Sequence, residues 1–223
     1  MTTQNPPHLR RHSLLYANLV LFAVFFGSMI VSGLAAYNHD QLLHGMSTTS
    51  LAGYLTTGDF IEATFENWES EFLQMGMYVV LTARLVMVGS SESKPLDGGT
   101  AQDEDPRLHR DDPKAPWPVR HGDLTLRMYE HSLSAAFFIL FLLSVLLHGI
   151  GGASAYNDEQ LVHGGATVST MGYFGTSQFW FESFQNWQSE FLAVAAIVGL
   201  SVFLRERGST ESKPVFTPNA ELG

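Results

Sequence analysis

Residues 12–95 of the chain recur at 131–214, in register and without a gap, at an offset of 131 − 12 = 119. Roughly 36 of the 84 aligned positions are identical, so the fold must be one that can be built twice. The anchor strings are AYNHDQLLHG (36–45) against AYNDEQLVHG (155–164), FENWESEFL (65–73) against FQNWQSEFL (184–192), and GSSESKP (89–95) against GSTESKP (208–214). The chain divides into an N-terminal tail (1–11), a first repeat (12–95), a linker (96–130), a second repeat (131–214) and a C-terminal tail (215–223). Positions kept in both copies mark what the repeated unit requires.

Apolar residues are gathered into runs. Residues 14–36 hold no Asp, Glu, Lys or Arg, and neither do residues 132–156. Runs of about 20 apolar residues match the hydrocarbon thickness of a bilayer, so both read as transmembrane helices. Residues 72–89, apolar apart from Arg84, and residues 191–204 are weaker alone but occupy equivalent places in the two copies. The expectation is four spans, two per repeat. The first is not a cleaved signal peptide, because its copy lies in mid-chain. A net charge of −10 conceals these runs, and the absence of cysteine excludes disulfides, iron–sulfur clusters and thiolate metal sites.

The basic residues set an orientation. All 12 fall in the tails, in the linker or within a turn or two of them, while 37–70 and 157–190 contain acids but no Lys or Arg. The positive-inside rule then places both termini and the linker in the cytoplasm. Two spans per repeat is an even number, so both copies insert with the same polarity. The expected fold is an all-α membrane protein of two tandem parallel two-span repeats, related by a pseudo-two-fold axis along the membrane normal and packed as a four-helix bundle. Small residues at Gly27, Ser28, Ser32 and Gly33, and at Gly149, Gly151, Gly152 and Ala153, are expected at helix interfaces. The linker, rich in Gly, Pro and mixed charge, is expected to be flexible, with an amphipathic lead-in over 121–131. Gly89 and Gly208 suit left-handed helix caps, with Pro95 and Pro214 stopping the helices beyond them.

The densest set of shared polar residues lies on the outer side. Tyr37, Gln41 and His44 share one helical face, as do Tyr156, Gln160 and His163, with Asn38 and Asn157 beside them. On the second helix of each copy, Asn67 and Glu71 are matched by Asn186 and Glu190, with Trp68 and Trp187 as interfacial anchors. Glu62, Glu66 and Glu69 become Phe181, Gln185 and Gln188, which assigns them to a solvated face. Three readings compete for the shared set. It fastens the outer helix halves by hydrogen bonds, it forms a polar vestibule or proton relay, or it holds a metal or haem through His44, His163, Glu71 and Glu190. No ligand spacing within a helix selects the last, and no cofactor is called for.

Residues present in one copy only carry less weight on this reasoning. His148 falls within the third span opposite Met29, as a core polar residue or an asymmetric functional group. No phosphate loop, nucleophile elbow or HExxH string is present, nothing indicates a catalytic reaction, and no basic surface fits nucleic acid. The expected partner is the lipid bilayer, with a cytoplasmic protein contact at Lys94, Pro95, Lys213 and Pro214 as a lesser expectation, and no oligomeric state is indicated.

The strings YNxxQLxHG, FxNWxSEF and RxxGSxESKP (the last complete only in the second copy, at 205–214) resemble those of a family of small bacterial integral membrane proteins catalogued as a domain of unknown function. The resemblance covers both repeats and implies a bacterial inner-membrane location. It carries no activity. The functions that fit are passage of a proton or small solute through the repeat interface, a non-catalytic membrane scaffold or stress-related protein, and a metal- or haem-binding membrane protein.

Overall fold

A computed structural model describes residues 8–96 and 99–221. The start of the N-terminal tail (1–7), positions 97–98 of the linker and the end of the C-terminal tail (222–223) lie outside the described residues. Among the described residues the chain is helices and turns without strands. The order is α1 (His8–Arg11), α2 (Ser13–Leu43), α3 (Leu51–Tyr54), α4 (Gly58–Arg84), α5 (Trp117–His121), α6 (Asp123–Glu130), α7 (Ser132–Val162), α8 (Thr170–Tyr173) and α9 (Ser177–Leu200), with 3-10 turns at Ala101–Asp103 and Pro106–His109.

Two of these helices, α2 and α7, are long and apolar enough to cross a membrane. Each has 31 residues, about 46 Å at 1.5 Å per residue. Both end at a histidine followed by a glycine in the left-handed region, Gly45 (φ 72°) and Gly164 (φ 70°). Below each end an asparagine clamps the returning loop. Asn38 Oδ1 accepts from Thr49 N at 2.7 Å and its Nδ2 donates to Thr49 O at 3.1 Å. Asn157 makes the same pair with Val168 at 2.7 and 2.9 Å. The next helices start on matched caps, Thr57 Oγ1 accepting from Phe60 N and Thr176 Oγ1 from Phe179 N, each at 3.3 Å. The two copies therefore use one local construction.

Their packing differs. Helix α4 runs antiparallel along α7, from Gly58 beside Ala155 to Gly76 beside Phe137. A Cβ added at Gly151 would lie 2.6 Å from the backbone nitrogen of Glu62, so only glycine lets the two backbones approach this closely. Helix α7 buries Gly149, Gly151, Gly152 and Ala153 as expected, whereas α2 buries nothing. Gly27 and Ser28 are exposed, and Ser28 and Ser32 donate to carbonyls of their own helix. The expected interface role is corrected for Gly27, Ser28 and Ser32, which are exposed, whereas Gly33 leaves room for the Tyr54 hydroxyl. The buried core belongs to the second repeat, with Ala153, Tyr173 and Phe179 packed by Val145, Tyr156, Val168 and Phe174.

At the other end, the glycine-cap expectation is corrected. Gly89 (φ 85°) and Gly208 (φ 90°) are left-handed, but the helices have already ended at Arg84 and Leu200. Side chains of the Glu-Ser-Lys-Pro strings tie down the segments that follow the helices instead. Ser93 Oγ accepts from Met87 N and Ser212 Oγ from Glu206 N, both at 2.8 Å. Lys94 Nζ donates to the carbonyl of Ala83 at 3.0 Å and to Asp103 at 2.6 Å. Lys213, buried, donates to the carbonyls of Pro218, Asn219 and Glu221. Both lysines are thus engaged within the chain, while Pro95 and Pro214 are exposed. The linker carries the two 3-10 turns and α5, and α6 forms where the lead-in was expected, burying Leu126.

Candidate functional site

His148 is the seventeenth residue of α7, about 24 Å along a helix of about 46 Å, and is fully buried. Its ring is held from two sides. Nδ1 lies 3.1 Å from Glu69 Oε2 on α4, and Nε2 lies 3.2 Å from Glu182 Oε2 on α9. Phe179 packs on the ring with centroids 4.8 Å apart. Glu69 is itself fully buried, and its second oxygen accepts from the indole N–H of Trp187 at 3.2 Å. Glu182 accepts from Gln178 Nε2 at 2.6 Å and, in a very short bond, from the Tyr173 hydroxyl. That hydroxyl also lies 3.1 Å from Glu62 Oε1. Burial first, then the hydrogen bond to Glu182, pushes the Tyr173 phenol far above its ordinary range, so it remains a donor.

Three carboxylates thus surround one imidazole and one phenol. A buried carboxylate needs compensating charge, and a single imidazolium offsets only one of the three. Neither α7 nor α9 contains a Lys or Arg, and the one on α4, Arg84, is at its far end. The cluster is therefore an attractor for positive charge. Among the described residues, one ligand atom from each of Glu62, His148 and Glu182 lies within 4.8 Å of the others.

A cavity of about 720 Å³ leads to it. Its mouth is formed by the ends of α2 and α7, with His44 and His163 edge to face at 6.4 Å between centroids. Its walls include Tyr37, Gln41 and Tyr156, and its floor reaches Glu62, Tyr173 and Glu182. Asp40, Asp59, Asp158 and Glu159 also line it, and no Lys or Arg does.

Of the residues singled out in the sequence, five meet in this cavity, namely Tyr37, Gln41, His44, Tyr156 and His163. The others are elsewhere. Asn38 and Asn157 clamp loops. Gln160 packs its side chain on Gly165. Asn67 and Asn186 bond back to Ala63 O and Glu182 O of their own helices. Glu71 is exposed and Glu190 half-buried, and neither lines the cavity, so they do not join His44 and His163 in one ligand set. The indole N–H of Trp187 turns inward to Glu69, and Trp68 packs among Phe22, Phe26, Phe65 and Phe72.

The assignment of Glu62, Glu66 and Glu69 to a solvated face is corrected. Glu69 is fully buried, and Glu62 and Glu66 are half-buried. These three stand at i, i+4 and i+7, one helical face, and in the fold that face turns toward α7 and α9 rather than outward. Such spacing of acids on one face was the available signal. Thr64 and Ser183, at equivalent positions of the two copies, bury hydroxyls that have no partner among the described residues.

The sequence profile of the family described as Domain of unknown function (DUF6766) matches residues 6–223. The chain belongs to the DUF6766 family. No curated protein sequence and no solved structure matches it. In this DUF6766 chain the buried cluster draws on three helices from both repeats, yet every one of its acids and its histidine stands where the copies differ. Glu62, Glu69, His148 and Glu182 correspond to Phe181, Gln188, Met29 and Ala63.

Proposed function

We propose that the chain is an integral membrane protein of four spans, two per repeat, that passes a proton or small cation from the outer side through the interface of its repeats. The observation that carries this reading is the cavity lined by acids and by no described Lys or Arg, open at His44 and His163 and closed by Glu62, Tyr173 and Glu182. An electronegative funnel with low-dielectric walls concentrates cations and excludes anions. Ionisable residues in the middle of a membrane helix are costly and mark ion pathways. Helices α4 and α9 turn Glu69 and Glu182 toward α7, and α9 leaves apolar residues such as Phe181, Phe184 and Leu192 on the outside, as a span requires. The unpartnered hydroxyls of Thr64 and Ser183 support hydration beside the cluster. The distribution of Lys and Arg supports cytoplasmic termini, and the family resemblance supports a bacterial inner membrane.

Proteoliposomes report this directly. Wild-type vesicles under an inward cation gradient, with a pH dye and a metal-sensitive dye inside, are expected to acquire signal at a rate that falls about tenfold or more in Glu182→Gln, the scale of losing about 1.4 kcal/mol at one step. Equal signal from protein-free, wild-type and Glu182→Gln vesicles contradicts the reading and leaves a scaffold role.

A further inference from the structure

We infer that the ion taken by this cluster is a divalent transition-metal ion, held by Glu62, His148 Nε2 and Glu182. The inference rests on the cation-passing reading for access to the site and adds the identity of the ion.

Orientation of the histidine is the first reason. Glu69 receives the Trp187 N–H on one oxygen and faces His148 Nδ1 with the other. A carboxylate so placed accepts the Nδ1–H hydrogen bond, so Nε2, 3.2 Å from Glu182 Oε2, is the ring nitrogen left to share a proton or a metal ion with that carboxylate. A lone pair and a carboxylate oxygen repel each other unless a positive charge joins them. A carboxylate behind a ligating imidazole is the arrangement that fixes tautomer and ring plane in metal sites. Glu69 and Trp187 supply it here.

Charge and convergence agree with this. With neutral His148, Glu62, Glu69 and Glu182 leave the cluster short of positive charge, and one divalent ion offsets most of that deficit at a single point. The three candidate ligand atoms already lie within 4.8 Å of one another. Ligands about 2.1 Å from a tetrahedral ion are about 3.4 Å apart, so modest rotations of two glutamates close the site. Tyr173 bridges Glu62 and Glu182 and brings the two carboxylates to the same place. One imidazole with carboxylate oxygens, and no thiolate anywhere in the chain, suits manganese, iron, cobalt or zinc better than soft ions such as copper(I). The floor of the cavity, formed by Glu62 and Glu182, gives the ion an entrance. The mouth histidines do not duplicate the site, because His44 and His163 each turn Nδ1 to a carbonyl of their own helix.

The test uses the full-length chain in lipid nanodiscs, stripped with a chelator and titrated with Co²⁺, with absorbance and calorimetry as readouts. One Co²⁺ per chain is expected, with visible bands of a nitrogen–oxygen ligand field. Binding should weaken at least about tenfold in His148→Ala and Glu62→Gln, about 10- to 100-fold in Glu69→Gln, and remain unchanged in Glu71→Gln. Glu62 is only half-buried, so Glu62→Gln serves if His148→Ala does not fold. No Co²⁺ binding by the wild type, or binding indifferent to Glu62→Gln and Glu69→Gln, overturns the inference. Proton uptake into vesicles by a wild type that binds no Co²⁺ overturns the metal while sparing the cation reading. Co²⁺ binding without any flux sustains the metal site and removes the passage reading.

Discussion

The two repeats place the same aromatic scaffold around different interiors. In the first, Tyr54 packs against Tyr37 and Phe60, with its hydroxyl at Gly33. In the second, Tyr173 packs against Tyr156 and Phe179 in the same way, with Gly152 in place of Gly33. Only Tyr173 meets carboxylates, because Met29, Ala63 and Phe181 stand where the corresponding positions of the other half carry His148, Glu182 and Glu62. Helix α7 packs along α4 and meets α9 through His148 and Phe141, while α2 buries no residue. Duplication thus supplies a scaffold twice, and divergence between the copies lets one polar centre form where they meet. A symmetric pair of centres would have doubled the desolvation cost of buried charge in a single small bundle.

This asymmetry can be broken by paired substitutions. The largest effect is expected for His148→Met, which copies the residue of the first repeat and strands three carboxylates. Removing one partner from a buried ion pair costs about 3–5 kcal/mol, whereas Met29→Leu, a volume-conserving change, should cost under about 1.5 kcal/mol. Denaturant-induced unfolding in mixed micelles measures both, and equal losses would remove the distinction between the halves. Next is Gly151→Leu, which forces α4 away from α7 at Glu62 and should cost about 2–3 kcal/mol. Its counterpart Ser32→Leu, on exposed α2, should stay within about 0.5 kcal/mol in the same measurement.

Smaller effects sharpen the comparison. Trp187→Phe removes the donor to buried Glu69 and should cost about 1.5–2 kcal/mol, while Trp68→Phe, whose indole packs among phenylalanines, should cost less than half of that. Comparable thermal shifts for the two would show that the Glu69 contact contributes little. Asn38→Ala and Asn157→Ala serve as the symmetric control. Each removes a two-bond loop clamp, and about 1–2 kcal/mol is expected from both. Unequal losses there would mean that even the shared construction has diverged.

Much of the scaffold was legible in the sequence. Apolar runs located α2 and α7, and comparison of the copies found five of the residues that line the cavity. Requiring a polar residue to appear in both copies also identified Asn38 and Asn157, whose work proved to be local clamping. The same requirement hid the centre. Glu69 was set aside because its counterpart is Gln188, although what a buried acid needs is a partner across the bundle, in this case His148 from the other repeat. Contacts between α4 and α7 depend on which glycines face each other in space, and offset comparison carries no such information. The bonds of Lys94 to the last turn of α4 and of Lys213 to the C-terminal tail were equally invisible, since they run to backbone carbonyls.

The most direct test of the account is cation uptake by proteoliposomes holding Glu182→Gln in one set and the double change Glu71→Gln/Glu190→Gln in another. The account predicts uptake reduced about tenfold or more in the first and kept at the wild-type rate in the second, because the ion site lies where the repeats differ. Full uptake in Glu182→Gln together with its loss in the double variant would contradict it, and would return the function to the residues that the two repeats share.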